Sequence, residues 1–363
     1  MTERAHWLAK IQEAVDQNSG VAVALRTDTS LAMEVEDLVN ETLANAPIEL
    51  RSQLKEEYFG WGPLHDLVKD TEITEIMVNS WDSISFERSG VLHILKETFL
   101  SPITYQNFLS RLCHHINSEP NLNRPFASGR YFDFRVQMVS PPISASPTLT
   151  LRRHSKEGWT LSRLKEKNWC TENQAQQLSD LVQNRANILI AGSTGSGKTS
   201  VLNALLGEIN SSERAIILED TKELHTPNTL SLRLETRFDS NGSLQDITLQ
   251  SLLKHSLRLR PDRLIVGEVR DIEAKDLVLA LSTGHEGSMG TIHAATAKQA
   301  LVRLEMLVQL GAPEWPAHTI RQMIQSSLQY VLITERREGA RRLKSLHRIA
   351  SLEDFGFTLD QEI

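Results

Sequence analysis

The sequence predicts a mixed α/β protein, with a C-terminal domain built on a mostly parallel sheet and a smaller α+β domain before it. Three observations lead there. The apolar run Ile188-Leu189-Ile190-Ala191 feeds Gly192-Ser193-Thr194-Gly195-Ser196-Gly197-Lys198-Thr199, and the helix-prone Ser200-Val201-Leu202-Asn203-Ala204-Leu205-Leu206 follows. Beyond it, short apolar strands alternate with helical periods, as in a parallel sheet. The chain has 363 residues, enough for two ordinary cores.

Along the chain, residues 1–58 read as a helical segment. Leu31 to Leu43 has apolar residues at helical spacing, Ala44-Asn45-Ala46-Pro47 ends it, and a charged helix over Ile48 to Tyr58 follows. Residues 59–152 read as the α+β domain. Its strand candidates are Ile73 to Val78, Ser83 to Arg88, Val91 to Leu95 after a Ser89-Gly90 turn, Tyr131 to Val139 and Thr148 to Arg152. Its helix is Thr104 to His115, with Thr104 as cap. Residues 153–170 read as a linker, with Gly158 as a hinge. Residues 171–363 form the second domain, opened by the capping box Thr171-x-x-Gln174. Its strands are Ala215 to Glu219, Ser231 to Leu234 and Arg263 to Val266, and its helices Leu249 to Leu259, Ile272 to Thr283 and Thr296 to Leu310. Gln329 to Thr334 and Arg342 to Ile349 close as a hairpin.

Composition narrows the class. The net charge is −7, without the global basic footprint of a nucleic-acid binder, although Arg336, Arg337, Arg341, Arg342 and Lys344 cluster locally. Two distant cysteines, Cys113 and Cys170, fit a reducing compartment better than a disulfide scaffold. Cys113-His114-His115 lacks a second ligand pair nearby, so it reads as packing rather than a metal cluster. The charged first ten residues carry no secretory h-region, and no apolar run reaches the ~18 residues of a membrane span.

The glycine-rich segment from Gly192 to Thr199 meets G-x-x-x-x-G-K-[ST] between a strand and a helix, the context a phosphate-binding loop needs. Triphosphate is highly anionic. Gly192, Gly195 and Gly197 let backbone N–H groups close on it, and the helix N-terminus adds its dipole. Lys198 supplies charge for the β- and γ-phosphates and the Thr199 hydroxyl a ligand for Mg²⁺. Three further segments each follow or end a strand, where parallel sheets open onto ligands. Ile216-Ile217-Leu218-Glu219-Asp220 ends in two carboxylates that can orient or activate water, unless they form only a solvated strand end. Leu264-Ile265-Val266-Gly267-Glu268 places an acid for Mg²⁺ or its waters, with Gly267 where the generic pattern has Asp. Gly284-His285-Glu286-Gly287-Ser288-Met289-Gly290-Thr291-Ile292-His293 flanks a loop with two histidines, able to sense a γ-phosphate or to satisfy loop carbonyls.

Taken in order, these four boxes resemble those of the type II/type IV secretion ATPases, the motors of secretion systems and type IV pili. Arg258-Leu259-Arg260-Pro261-Asp262 through Arg270 is like that family's Walker B, where Gly267 is ordinary. Gly62-Pro63-Leu64, Ile73 to Asn79, Thr148 to Arg153 and Leu234-Glu235-Thr236-Arg237 are similar to the Tad (Flp-type) pilus branch. The resemblance implies a RecA-like ATPase domain behind a PAS-like N-terminal domain. It implies ATP and Mg²⁺ as cofactors and hydrolysis of ATP to ADP and phosphate. It assigns Glu219 to water activation, Glu268 to Mg²⁺ through water, Lys198 to the phosphates, and His293 to γ-phosphate sensing with His285 in support. Ser193, Thr194, Ser196, Ser200 and Arg270 join the nucleotide site. Arg152 and Arg153 match the arginines that reach the nucleotide from the N-terminal domain, and Arg135 is a weaker match beside an altered loop at 121–133. The N-terminal domain would rock when the γ-phosphate is lost. The implied assembly is a homo-hexamer in the cytoplasm, held at the inner membrane by a platform protein, with no direct nucleic-acid contact. A nucleic-acid-translocating ATPase and a nucleotide-dependent regulatory module are the alternatives. The acidic balance argues against the first, and four intact boxes against the second.

Overall fold

A computed structural model of the chain describes residues 3–17, 37–153, 158–238, 244–353 and 356–363. They divide into two compact units, Met1–Ser155 with Asp239–Gln245, and Lys156–Phe238 with Asp246–Ile363. No helix among the described residues is long and apolar enough to cross a membrane.

The first unit begins with helix α1 (Glu3–Gln17) and, after residues 37–42, which are also helical, α2 (Ile48–Phe59). The helix expected over Leu31 to Leu43 lies partly outside the described residues, but its Val39 and Leu43 are fully buried with Trp7, Ile11, Leu54 and Tyr58. Glu57 on α2 is buried, and its Oε1 accepts from Leu100 N (2.7 Å) and Thr104 Oγ1 (2.6 Å). The helical segment is therefore bonded to the domain after it.

That domain holds α3 (His65–Lys69), β1 (Ile73–Ser80), β2 (Ser83–Arg88), β3 (Val91–Ile94), α4 (Pro102–Ile116), β4 (Phe126–Tyr131), β5 (Phe134–Val139) and β6 (Thr148–Arg153). The sheet order is β3-β2-β1-β6-β5-β4, with α4 over its apolar face. Two expectations are corrected. The cap of α4 is Ser101, and Thr104 is the third residue of a capping box with it. The run Tyr131 to Val139 is not one strand: Phe132, at φ 50°, turns β4 back into β5.

The second unit starts inside the segment read as linker. Helix α5 (Leu161–Glu166) is capped by Thr160, and Leu161, Leu164 and Trp169 are core residues. Their apolar period is too short to read in sequence, but each buries against helices α6 (Glu172–Gln183) and α7 (Lys198–Leu206). The capping box of α6 forms as expected. The remaining elements are β7 (Ile188–Gly192), β8 (Ala215–Glu219), β9 (Leu232–Glu235), α8 (Leu249–Ser256), β10 (Arg263–Val266), α9 (Glu273–Ser282), β11 (Met289–His293), α10 (Ala297–Gly311), α11 (Ala317–Ser327), β12 (Tyr330–Arg337), β13 (Ala340–Glu353) and β14 (Gly356–Gln361).

The eight strands run β14-β13-β12-β7-β11-β10-β8-β9, parallel from β12 to β9 and antiparallel across β12-β13-β14. Alternate residues feed two cores. Leu189, Ile216, Leu218, Leu264 and Val266 pack on α8 to α11, while Ile188, Ile190, Ile217 and Ile265 pack on α5 to α7. Burial on both faces is why these strands read as unbroken apolar runs.

Arg263 bolts the floor of this sheet. It is 1% exposed and bonds Glu213 Oε2 through Nε (2.9 Å), and Val182 O through a terminal nitrogen (2.8 Å). Arg263→Ala removes the donors on Glu213 Oε2, leaving the carboxylate only Arg185 on Oε1 (3.2 Å), and is expected to destabilise the protein by about 3 kcal/mol. Urea unfolding followed by circular dichroism measures it.

Candidate active site

Strands β7, β11, β10 and β8 are neighbours, so their C-terminal ends share one edge. The register makes this specific. His293 lies opposite Gly192, and Val266 opposite Leu218, one residue before Glu219. All four boxes therefore open on the same lip.

The loop after β7 has the backbone its glycines allow. Gly195 and Gly197 sit at φ 73° and 95°, and Gly197 caps α7. A Cβ at Gly192 would lie 2.4 Å from Thr334 O of β12. The C-terminal hairpin also braces the loop: Thr334 Oγ1 donates to Ser196 O (3.0 Å) and Arg341 Nε to Gly195 O (3.0 Å).

Lys198 is buried, and its Nζ donates to Gly192 O and Ser193 O, each at 3.1 Å. It also lies 3.2 Å from His293 Nδ1. His293 Nε2 is 2.7 Å from Glu268 Oε1. That approach is not aligned as a hydrogen bond, so Glu268 Oε1 is a buried carboxylate oxygen without a donor. Arg270 pairs with the other Glu268 oxygen and lies 3.4 Å from Asp220. One connected row therefore runs Lys198, His293, Glu268, Arg270, Asp220.

Its electrostatics are unequal. Burial pushes Glu268 up, but the hydrogen bond and charge of Arg270, helped by His293 and Lys198, outweigh it and hold the carboxyl below its usual range. Burial and the Lys198 charge depress His293, favouring the neutral ring that accepts at Nδ1. Glu219 differs. Burial pushes it up to about 7, against two backbone bonds from Glu223 N (3.0 Å) and Leu224 N (2.9 Å) to Oε1. Its Oε2 is buried with no partner. The Glu219 side chain crosses Gly267, where a Cβ would sit 3.1 Å from Glu219 Cγ. The glycine that departs from the generic acid pattern leaves room for the neighbouring carboxylate.

One candidate of this unit stands apart from the row, and two further candidates belong to the first unit. His285 Nδ1 lies 3.0 Å from Ala280 O, beside the last turn of α9, and does not join the row. Arg152 and Arg153 point to opposite faces of β6, as adjacent strand residues must. Arg153 is on the core face, stacked 4.4 Å from the Phe134 ring, with its guanidinium donating to the carbonyls of Leu67, Val68, Asp70 and Ile73. These contacts give Arg153 a structural place within its own unit. Arg152 is exposed on the outer face, where the register aligns it with Arg135 and Arg130. Arg130 escaped the sequence reading, because only strand pairing reveals the row.

A cleft of about 300 Å³ adjoins the phosphate loop, lined by Trp159, Trp169, Lys167, Ser200, Ala340 and Arg341 among others. Trp169 is buried and donates from Nε1 to Thr334 Oγ1 (3.0 Å), and Trp159 carries Arg163 over its ring at 4.7 Å.

The unpartnered charge on Glu219 has a stability signature. Its carboxyl is neutral in both folded and unfolded chains below about pH 4.5 and charged in both above about pH 7. The burial penalty is therefore absent at low pH and complete above 7. Glu219→Gln keeps the Oε1 acceptor and removes the charge. It is expected to stabilise the fold by about 3 kcal/mol at pH 8, with the gain vanishing near pH 4.5. Denaturant titrations at the two pH values check this.

Comparison with known proteins agrees with this geometry. A family model described as "Type II/IV secretion system protein" matches residues 79–338. The chain is 33% identical over 286 residues to the conjugal transfer protein TrbB of Rhizobium radiobacter, covering 77% of this chain and 84% of that one. It is 34% identical over 235 residues to the type IV secretion system protein PtlH of Bordetella pertussis, covering 57% and 69%. The fold is similar to that of the Legionella pneumophila ATPase DotB, with a TM-score of 0.55, 17% identity and 81% of each chain covered. These relatives carry the names of conjugal transfer and type IV secretion proteins, and none supports the narrower Tad resemblance. A parallel α/β unit with four nucleotide boxes on one edge, matched by family over most of its length, makes this chain a member of the type II/IV secretion system protein family.

Proposed function

We propose that this protein hydrolyses ATP to drive transport through a type IV secretion machine. The observation that carries the reading is the lip where Lys198, His293, Glu268 and Arg270 form one row beside a Glu219 carboxyl poised near neutrality. Loop N–H groups and Lys198 take the β- and γ-phosphates, with Ser193, Thr194, Ser196 and Ser200 around them. Glu219 accepts a proton from the attacking water, a task suited to a carboxyl near 7. Glu268 Oε1, which faces His293 Nε2, and the Thr199 hydroxyl are oxygen donors of the kind Mg²⁺ and its waters take, so these two residues would hold the ion. When bound, Mg²⁺ neutralises phosphate charge. Neutral His293, between Lys198 and Glu268, is placed to register loss of the γ-phosphate. Arg152, exposed on β6 between Glu75 and Arg135 in the register, is the first unit's arginine candidate for the phosphates on family likeness alone.

The cleft beside Ser200 takes the nucleoside. It has aromatic and small apolar walls and a basic mouth, as a base and ribose require. The working assembly is a homo-hexamer at the cytoplasmic face of the inner membrane, docked on a membrane platform partner, a reading that rests on family likeness.

Lys198→Ala is expected to abolish phosphate release while circular dichroism stays unchanged; retained hydrolysis refutes the assignment. Single-turnover hydrolysis is expected to fall about tenfold per pH unit below about 7 as Glu219 protonates. Ala340→Trp, which fills the cleft, is expected to weaken ATP binding at least about tenfold, the loss of one good packing contact. Its affinity for tripolyphosphate should be unchanged in isothermal titration. An equal loss for both ligands would place the base elsewhere.

A further inference from the structure

Helix α7 carries more than the phosphate loop at its N-terminus. Asn203, one turn beyond Thr199 and 7% exposed, faces the loop that follows β8. Its Oδ1 accepts from His225 N (3.0 Å), and its Nδ2 donates to Glu223 O (3.2 Å) and lies 3.2 Å from His225 Nδ1. The orientation of the amide is settled by its partners. A backbone N–H can only donate and a backbone carbonyl can only accept, so Oδ1 must meet the first and Nδ2 the second. Both ends of the side chain are committed to two loop residues, Glu223 and His225.

The same loop residues hold Glu219. Glu223 N and Leu224 N are the two donors on its Oε1, and they are the donors through which the loop orients the carboxylate. Leu224 is buried in the core shared with α7, so the loop cannot shift as a free segment. Asn203 bonds this short loop at Glu223 O and His225 N, and Glu219 bonds it at Glu223 N and Leu224 N. The path from the phosphate-loop helix to the carboxylate is one side chain and one peptide pair long.

We propose that Asn203 is a positioning residue for ATP hydrolysis: it ties the helix that carries Lys198 and Thr199 to the loop that aims Glu219, so the phosphates and the proton acceptor keep one spacing. This rests on the reading of Glu219 as the group that activates water. Asn203 itself touches neither phosphate nor water, and it acts through Glu219. An apolar residue of the same shape would fill the space and leave the loop untied. The helix N-terminus and its phosphate donors would be unaltered.

The test uses the full chain with Asn203→Leu, which preserves volume, and Asn203→Asp, which keeps the acceptor for His225 N but loses the donor to Glu223 O. The measurements are single-turnover hydrolysis with enzyme in excess and the ATP dissociation constant by titration. Both variants are expected to bind ATP within about twofold of the parent and to hydrolyse it about 10- to 100-fold more slowly, the scale of a misplaced catalytic group. In a Glu219→Asp background, expected to keep a slow measurable turnover because a carboxylate remains, Asn203→Leu is expected to add at most about a threefold further loss, since residues acting through one another are not additive. The full loss repeated in that background, or parental hydrolysis by a variant that binds ATP normally, overturns the proposal for Asn203 alone. Parental hydrolysis by Glu219→Gln overturns the reading of Glu219, and the proposal with it. If Asn203→Leu loses ATP binding and folded signal, Asn203→Asp decides the matter by the same measurements.

Discussion

Everything at the candidate site depends on the parallel register of β7, β11, β10 and β8. A parallel ladder brings every strand out in the same direction, so each loop that leaves a C-terminal end enters one strip of surface. Because His293 is opposite Gly192, and Val266 opposite Leu218, the histidine, the two acids and the lysine are neighbours, although Lys198 and His293 are far apart in sequence. A shift of one residue in any pair would turn alternate side chains to the other face and break up the row. The double apolar packing of each strand resists such a shift.

Charge is arranged along this strip with opposite outcomes for two carboxylates. Glu268 has an arginine on one oxygen and stays ionised, while Glu219 has only peptide donors and is driven toward neutrality by burial. Paired groups with separated proton affinities allow one to serve as a fixed anion and the other as a proton acceptor. In the first unit, the pleat of β6 separates Arg152 from Arg153 in the same manner, giving one to the surface and one to the packing around Phe134.

The phosphate loop and the strand-ending acids were legible because their chemistry demands particular residues at fixed local spacing. Glu219, Glu268 and His293 needed no tertiary information beyond strand ends. What failed to read was set by pairing or by distant packing. Arg153 and Arg130 could be sorted only with the register of β4, β5 and β6. The contact of His285 with Ala280 O at the end of α9 has no signal in sequence, because a histidine near a glycine loop does not announce its partner. Residues 161–169 looked like a linker because three buried side chains in a polar stretch carry no period. Helix α11 is silent in the sequence for a similar reason. It buries only Ile320, Ile324 and Ser327, and no side chain caps its start. Gly267 reads as a defect by the generic pattern, and its meaning lies in the side chain of the next strand.

The hydrogen bonds from Thr334 and Arg341 to the phosphate loop join the β12–β13 hairpin to the most conformationally demanding turn of the second unit. Residues without any recognisable signature thus share control of how firmly the loop is held. A binding protein that levered the tip at Gly339 outward would slacken the grip on nucleotide without approaching it, and stiffening the tip would slow exchange. The β12–β13 hairpin is in this sense a handle on the phosphate loop.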